Sequence, residues 1–224
     1  MNVSEAVATR TSCRAYLPTP VPAATVRAIL DAARQSPSGG NLQPWRVYAL
    51  AGPSLAGLVA LVRSRMPANP LGEAPVEYDI YPGHLWEPFR SRRFKCGEDL
   101  YATIGVKRED KLARLLQFAR NFEFFGAPVG LLFCLDRRLG PPQWSDVGMY
   151  MQTVMLLARG HGLDTCAQEA WSMWHRTVGE YLALPPELML FSGMALGYRD
   201  ESAPINRLRT ERAPLEEVAE LRGF

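Results

Sequence analysis

Apolar positions recur along this chain with two different periods, and the switches between them mark out its elements. Val26, Ile29, Leu30 and Ala33 fall at i, i+3, i+4 and i+7, the stripe of a helix with one buried face. Pro22 suits the first position of that helix, where its fixed φ and missing N–H cost nothing. A shorter helix is expected before it, over 4–9. The stripe ends near Ser36-Pro37, and Ser38-Gly39-Gly40-Asn41 is a turn signal. Trp45 to Leu50 reads as a strand, and Ser54 as the cap of a helix reaching about Met66. Pro128 to Asp136 (PVGLLFCLD) is a continuous apolar run, as a central strand should be. Ser145 is expected to cap a helix through Arg159 that is apolar on every side and therefore buried all round. Strands are expected over 164–170 and 188–198, with a helix capped by Ser172 between them. Two helices over 98–106 and 108–124 fill the middle, and a short one over 214–220 ends the chain.

Mixed helices and strands of this kind predict an α+β fold around one sheet, with residues 1–224 as a single domain. One stretch breaks the pattern. Pro67, Pro70, Pro75, Pro82 and Pro88 alternate with Tyr78, Tyr81 and Trp86. A structureless segment this long is usually a lid or binding loop, and its aromatics argue against disorder. A lid-like insertion is accordingly placed at about 67–97.

Composition removes several classes of function. Lys and Arg number 25 against 23 Asp and Glu, a net charge of +2, so neither nucleic acid nor an anionic membrane is an expected partner. Only Lys95, Lys107 and Lys111 are lysines, so arginine is the default cation and a single arginine says little. Cys13, Cys96, Cys134 and Cys166 form no C-x-x-C, and His84, His161 and His175 lie far apart, so no metal site is expected. Cys134 reads as a small core residue. Rossmann, P-loop and nucleophile-elbow motifs are missing. The first residues lack the basic and apolar regions of a signal peptide, and no apolar run is long enough to span a membrane. The cytoplasm is the expected compartment.

Three patches carry chemistry. Arg10-Thr11-Ser12-Cys13-Arg14 sets two guanidiniums and two hydroxyls close together, a possible phosphate grip or a plain basic turn. Pro37-Ser38-Gly39-Gly40-Asn41-Leu42-Gln43-Pro44-Trp45 allows close backbone approach to a ligand, or is an ordinary helix-to-strand loop. The tail carries Asn206, Arg207, Arg209 and Arg212 and few apolar residues, so it needs another surface to lie on, such as a second subunit.

In order and spacing these patches resemble the nitroreductase family of flavoproteins over nearly the whole chain: R-[ST]-x-x-R near the start, P-S-G-x-N-x-Q-P-W near residue 40, and G-M-A-L-G-Y then R-A-P-L near the end. Arg92-Arg93, Arg120-Asn121-Phe122, Ala127-Pro128-Val129-Gly130 and Leu163-Asp164-Thr165-Cys166 before Gln168 resemble its nitrobenzoate reductase branch. The resemblance implies a mixed, mainly antiparallel sheet flanked by helices, in an intertwined homodimer with FMN at the interface. It implies that Arg10, Thr11, Ser12 and Arg14 hold the FMN phosphate and ribityl chain, joined by Arg212. Pro37, Ser38, Gly39 and Asn41 would reach the cofactor of the partner subunit, and Gln168, Glu169 and Ala170 would lie along the flavin ring. Two departures remove charge near that phosphate, since Thr11 and Thr210 stand where relatives carry basic residues. Arg93 or Lys95 is the candidate for the family's mid-chain contact.

The implied activity is reduction of small electron-poor aromatics, above all nitroaromatics, with NADH or NADPH as donor. No catalytic side chain is required, because the flavin carries the chemistry. Tyr81, Trp86 or Phe124 would stack on the substrate, and Arg90, Arg92 and Arg93 would select a carboxylate on it. Enone or flavin reduction, reductive dehalogenation and non-catalytic FMN binding are the alternatives.

Overall fold

The computed structural model describes residues 1–224. Two apolar strands form its centre. β2 (Val129–Asp136) and β4 (Leu188–Gly197) pair antiparallel, with β1 (Arg46–Ala51) outside β2 and β3 (Asp164–Gln168) outside β4. All three strand pairs are antiparallel, and an isolated parallel bridge from Ser12 to Thr165 makes the sheet mixed. The fold is α+β, as expected.

Alternate residues of a strand face opposite sides, so each central strand feeds two cores. Val129, Leu131, Phe133 and Leu135, with Met194 and Leu196, pack against α2 (Ala23–Ala33) and α6 (Pro141–Gly160). Leu132, Cys134, Leu190 and Ala195 face α3 (Gly52–Arg65), α7 (His175–Leu182) and two aromatic 3-10 turns, Arg120–Gly126 and Glu169–Trp174. Those turns lie flat on the sheet because glycine stands beneath them. A Cβ on Gly193 would sit 2.2 Å from Trp171, and one on Gly130 would sit 2.6 Å from Phe124. The Trp171 and Phe124 rings stack on each other at 4.4 Å. Their burial holds Phe124 and Phe125 in left-handed backbone, at φ +49° and +55°, which bulky residues rarely adopt.

Several boundaries differ from the sequence reading, each for a local reason. α1 (Val3–Thr9) carries an Asn2–Glu5 capping box that places its start one residue early. α3 begins at Gly52 with Pro53 in its first turn, and Ser54 makes no cap. Ser145 lies inside α6, which starts at Pro141 with the Gln143 side chain turned back to the Gly140 N–H. Ser172 is buried in a 3-10 turn. The cap of α7 comes from distant Glu73, whose carboxylate accepts from the Arg176 and Thr177 N–H groups. α4 (Phe89–Thr103) starts nine residues before its expected position, because its arginine-rich first turns bury nothing and carry no stripe. α5 is only Lys111–Ala119, since the chain tightens into 3-10 geometry where Phe122, Phe124 and Phe125 turn inward. α6 is not buried all round: Met149 is 40% exposed, and Met155 and Leu157 are half-buried. The tail ends with α8 (Leu215–Val218). No helix is long and apolar enough to cross a membrane.

Residues 67–88 hold no helix or strand but are anchored. Glu73 caps α7, the Tyr78 hydroxyl donates to the Phe191 carbonyl, and His175 Nε2 meets the Pro75 carbonyl at 2.9 Å.

Two outcomes follow from this packing. Gly193→Ala should lose about 3 kcal/mol in urea unfolding, because the Trp171 ring has nowhere to move; a loss below about 1 kcal/mol would contradict the flat stacking. Burial pushes the Cys13 thiol up to about 11 and Cys134 up to about 12, and raises Cys166, while Cys96 is exposed. A thiol reagent at neutral pH should therefore titrate one cysteine in the folded protein and all four after denaturation; two or more fast thiols in the folded state would refute it.

Candidate functional site

Residues 10–14 leave α1 and run beside the edge strand β3. Ser12 pairs with Thr165, and the Cys13 N–H donates to the Thr165 carbonyl at 3.0 Å. Cys13 turns into the core, while Arg10, Ser12 and Arg14 stay half-buried at the surface. The Arg14 guanidinium donates back to the Ser12 carbonyl at 3.3 Å. All three crowd the Cys166 thiol, which burial pushes up while the Arg14 charge, the Ser12 hydroxyl and the Arg10 charge pull it down. The carboxylate of Asp164, at the start of β3, is held by Arg159 and Arg199, each at 2.9 Å, and neither Arg10 nor Arg14 makes an ion pair. Arg10 and Arg14 are thus left without a compensating anion. Thr11, expected among the ligands, accepts at its hydroxyl from the Arg199 guanidinium.

Three residues along β3 from Thr165, about 10 Å away, lies Gln168. Its Nε2 donates to the Asn121 carbonyl at 2.7 Å, while its Oε1 is buried without a partner. Thr165 Oγ1 is also buried and unpartnered. Native structures rarely leave such atoms orphaned, and Gln168 Oε1, at the end of the strand, is the one that fits a missing group, since Thr165 faces the other side of β3. Glu169 and Ala170 continue into the 3-10 turn, and partial desolvation raises the Glu169 carboxyl above its usual range although the side chain reaches the surface. A small cleft lined by Arg14, Leu100, Tyr101, Phe118, Asn121 and Phe125 connects the arginine end to the Asn121–Gln168 end.

The turn around residue 40 is elsewhere. The Gly39 N–H donates to buried Asp146 near the start of α6, whereas Arg159, near its end, donates to Thr9 Oγ1. Thirteen residues of helix separate these anchors, about 20 Å. Pro37, Gly39 and Asn41 are exposed; the Ser38 hydroxyl accepts from the Gln43 N–H, and Gly40, Asn41 and Gln43 have positive φ. Within one chain, this turn and the Arg10–Arg14 loop do not meet.

Arg212 is not brought to Arg10 or Arg14 either. Its guanidinium curls onto the Thr210 and Glu211 carbonyls and the Thr210 hydroxyl, because the tail around it is pinned to α4 by Lys95–Glu211 at 3.2 Å and by Arg92–Glu217. Lys95 is doubly engaged, by Asp99 and Glu211, and is no free contact. Among the lid candidates, Tyr81 and Trp86 are exposed, and the Arg93 guanidinium stacks 4.2 Å from the Tyr81 ring centroid. Phe124 is fully buried against Trp171, so it is a core residue and not a stacking surface for substrate.

Four residues that the sequence did not single out for these roles build the site. Asp164 and Arg199 hold Thr11, Asn121 holds Gln168, and Asn206 holds Arg14. Each acts across a long sequence separation, and no local pattern signals such a partner.

A model of the Nitroreductase family matches residues 7–198. The chain is 37% identical over 215 residues to a nitrobenzene nitroreductase of Ectopseudomonas oleovorans, covering 96% of this chain and 94% of that protein. It is 36% identical over 221 residues to a 4-nitrobenzoate reductase of Pseudomonas putida, covering 97% and 94%. Its structure superposes on the FMN- and NADPH-dependent nitroreductase NfnB of Sphigopyxis sp. strain HMH with a TM-score of 0.96, 44% identity and full coverage of both chains. On NfnB of Mycobacterium smegmatis in complex with NADPH the TM-score is 0.92 at 28% identity, covering 99% and 100%. In fold and in sequence over almost its whole length, this chain belongs to the nitroreductase family.

Proposed function

We propose that this chain is an FMN-dependent nitroreductase that takes electrons from NAD(P)H and delivers them to small nitroaromatics. Its relatives carry that activity in their names, and its structural neighbours are FMN- and NADPH-dependent enzymes. One observation carries the reading to these residues. Two uncompensated guanidiniums stand at one end of a strand, and a buried orphan acceptor, Gln168 Oε1, stands about 10 Å along it. That donor set suits a ligand with an anion at one end and a polar ring edge at the other, which FMN has.

Arg10, Ser12 and Arg14 hold the phosphate by charge-assisted hydrogen bonds. Gln168, Glu169 and Ala170 lie along the ring, chiefly through backbone groups, with Gln168 fixed by Asn121. FMN, when bound, supplies two-electron transfer between the nicotinamide and the nitro group. The chain's part is to orient both partners and to keep water from the ring. Residues 67–97 form a lid, with Tyr81 and Trp86 offering exposed aromatic faces.

The gap of about 20 Å along α6 supports a homodimer, in which Pro37, Ser38, Gly39 and Asn41 serve the site of a second copy. The unpaired edge of β1 and the groove of about 740 Å³ between it and α2, lined by Val21, Val26, Leu30, Trp45 and Val47, suit coverage by that copy. Arg212 joins the phosphate once the tail settles at this interface. The cytoplasm is the proposed compartment.

Three arginines begin α4, and the structure separates them. Arg90 is paired with Glu87 at 2.7 Å and Arg92 with Glu217, while Arg93 offers its face to Tyr81. Stacking leaves the edge donors of a guanidinium free, so Arg93 is the one that selects a carboxylate on the substrate. It lies seven residues before Leu100, on the same face of α4, about 10 Å from the Arg14 cleft.

Two measurements test this function. The purified protein should be yellow, should bleach with NADPH under anaerobic conditions, and should recolour on addition of 4-nitrobenzoate. Colourless protein, or a flavin that NADPH leaves oxidised, would overturn it; recolouring by enones or halophenols alone would move the reaction to another acceptor. Arg93→Ala should lower kcat/KM for 4-nitrobenzoate roughly 10- to 100-fold and for nitrobenzene less than about threefold. Equal losses on both would rule out carboxylate selection.

A further inference from the structure

Asn206 sits in the 3-10 turn Pro204–Arg207, 5% exposed, and every polar atom of its side chain is used. Its Oδ1 accepts the Arg14 N–H at 2.8 Å. Its Nδ2 donates to the Ala15 carbonyl at 2.8 Å and to the Asp200 carbonyl at 2.9 Å. Its own carbonyl accepts from Arg199 at 3.1 Å and from Arg209 at 3.0 Å. One residue from the last part of the chain therefore grips the backbone on both sides of the Arg14 Cα and ties it to the root of the tail. Only an amide of this length supplies one acceptor and two donors there; aspartate has no donor, and serine is too short.

Beyond Arg14 the loop is also held by backbone, the Asp200 N–H donating to the Ala15 carbonyl at 3.1 Å and the Leu17 N–H to the Tyr198 carbonyl at 2.9 Å, but the Arg14 N–H itself is held by Asn206. The Cys13 N–H pairs with Thr165, but the Arg14 N–H has no strand partner and points at Asn206. The direction of the Arg14 side chain is set by its backbone, and a buried N–H left unpaired would seek another partner and turn that backbone.

We propose that Asn206 is the positioning residue for the phosphate grip: it fixes the Arg14 backbone so that the guanidinium stands beside Arg10, and it couples the seating of the C-terminal tail to cofactor affinity. This rests on the reading that Arg10 and Arg14 hold the FMN phosphate, and the test separates the two. FMN release from diluted holoprotein, followed by the return of free-flavin fluorescence, gives the dissociation constant. It is measured for the parent, Asn206→Ala, Arg14→Ala and the double variant, well below each melting temperature. Asn206→Ala should weaken FMN binding roughly tenfold, as loss of a supporting partner does at other liganded sites. The double variant should bind no worse than Arg14→Ala by more than about threefold, because Asn206 acts through Arg14.

A parent-like constant for folded Asn206→Ala, or factors that multiply in the double variant, would overturn the proposal. A merely structural role would lower the melting temperature and leave FMN release unchanged. Parent-like binding by Arg14→Ala would sink the phosphate reading itself, and this inference with it. Should Asn206→Ala fail to fold, Asn206→Asp keeps the acceptor for the Arg14 N–H and loses both donors; the same non-additivity with Arg14→Ala is expected, and multiplying factors contradict it.

Discussion

A short length of backbone pairing carries this site: Ser12 and Cys13 lie parallel to Thr165, on the open edge of a sheet that is otherwise antiparallel. Without it, the first helix would lead into a loose basic turn whose two guanidiniums repel. With it, Arg10 and Arg14 stand half-buried beside β3, and Cys13 plugs the core from behind. Concentrating positive charge there is costly, and the surroundings offset it unevenly. Asp164 is shared by Arg199 and Arg159, Glu201 adds a second carboxylate beside Arg199, and neither acid pairs with Arg10 or Arg14. That division leaves an anion-sized deficit where the phosphate is proposed to bind. Residual charge of this kind is stable only when a ligand supplies the missing partner or water does.

The same strand orders the two ends of the proposed cofactor site. Thr165 carries the loop, and Gln168 ends the strand with one amide atom satisfied and one orphaned. The strand acts as a ruler. α6 is a second, longer ruler with the opposite effect, since it keeps the residue-40 turn at its far end. On the proposed reading a second copy completes the site, and it would cover the apolar surface left open along α2 and β1.

Much of this was legible in the residues. The central strand at Pro128–Asp136 and the α2 stripe were read correctly because their signals are local. Boundaries failed where the deciding contact is distant. Ser54, Ser145 and Ser172 have the chemistry of helix caps, yet the N–H groups of α7 are capped by Glu73, about a hundred residues away. Phe124 was a candidate for stacking on the substrate; Gly130 and Trp171, brought in by the sheet, bury it. Arg199 engages the Thr11 hydroxyl from far along the chain, and Asn206 looked like part of a charged tail. Long-range hydrogen bonds of single polar side chains leave no period in a sequence.

The central claim is that one phosphate is held by the Arg10–Arg14 loop of one copy while the residue-40 turn of another copy closes over the same cofactor. A crystal structure of the protein grown with FMN tests it most directly. The account predicts phosphate oxygens within hydrogen-bonding distance of the Arg10 and Arg14 guanidiniums, with Ser38 to Asn41 of a second copy against the same FMN. A phosphate bound elsewhere, or a flavin enclosed by one chain alone, would contradict it.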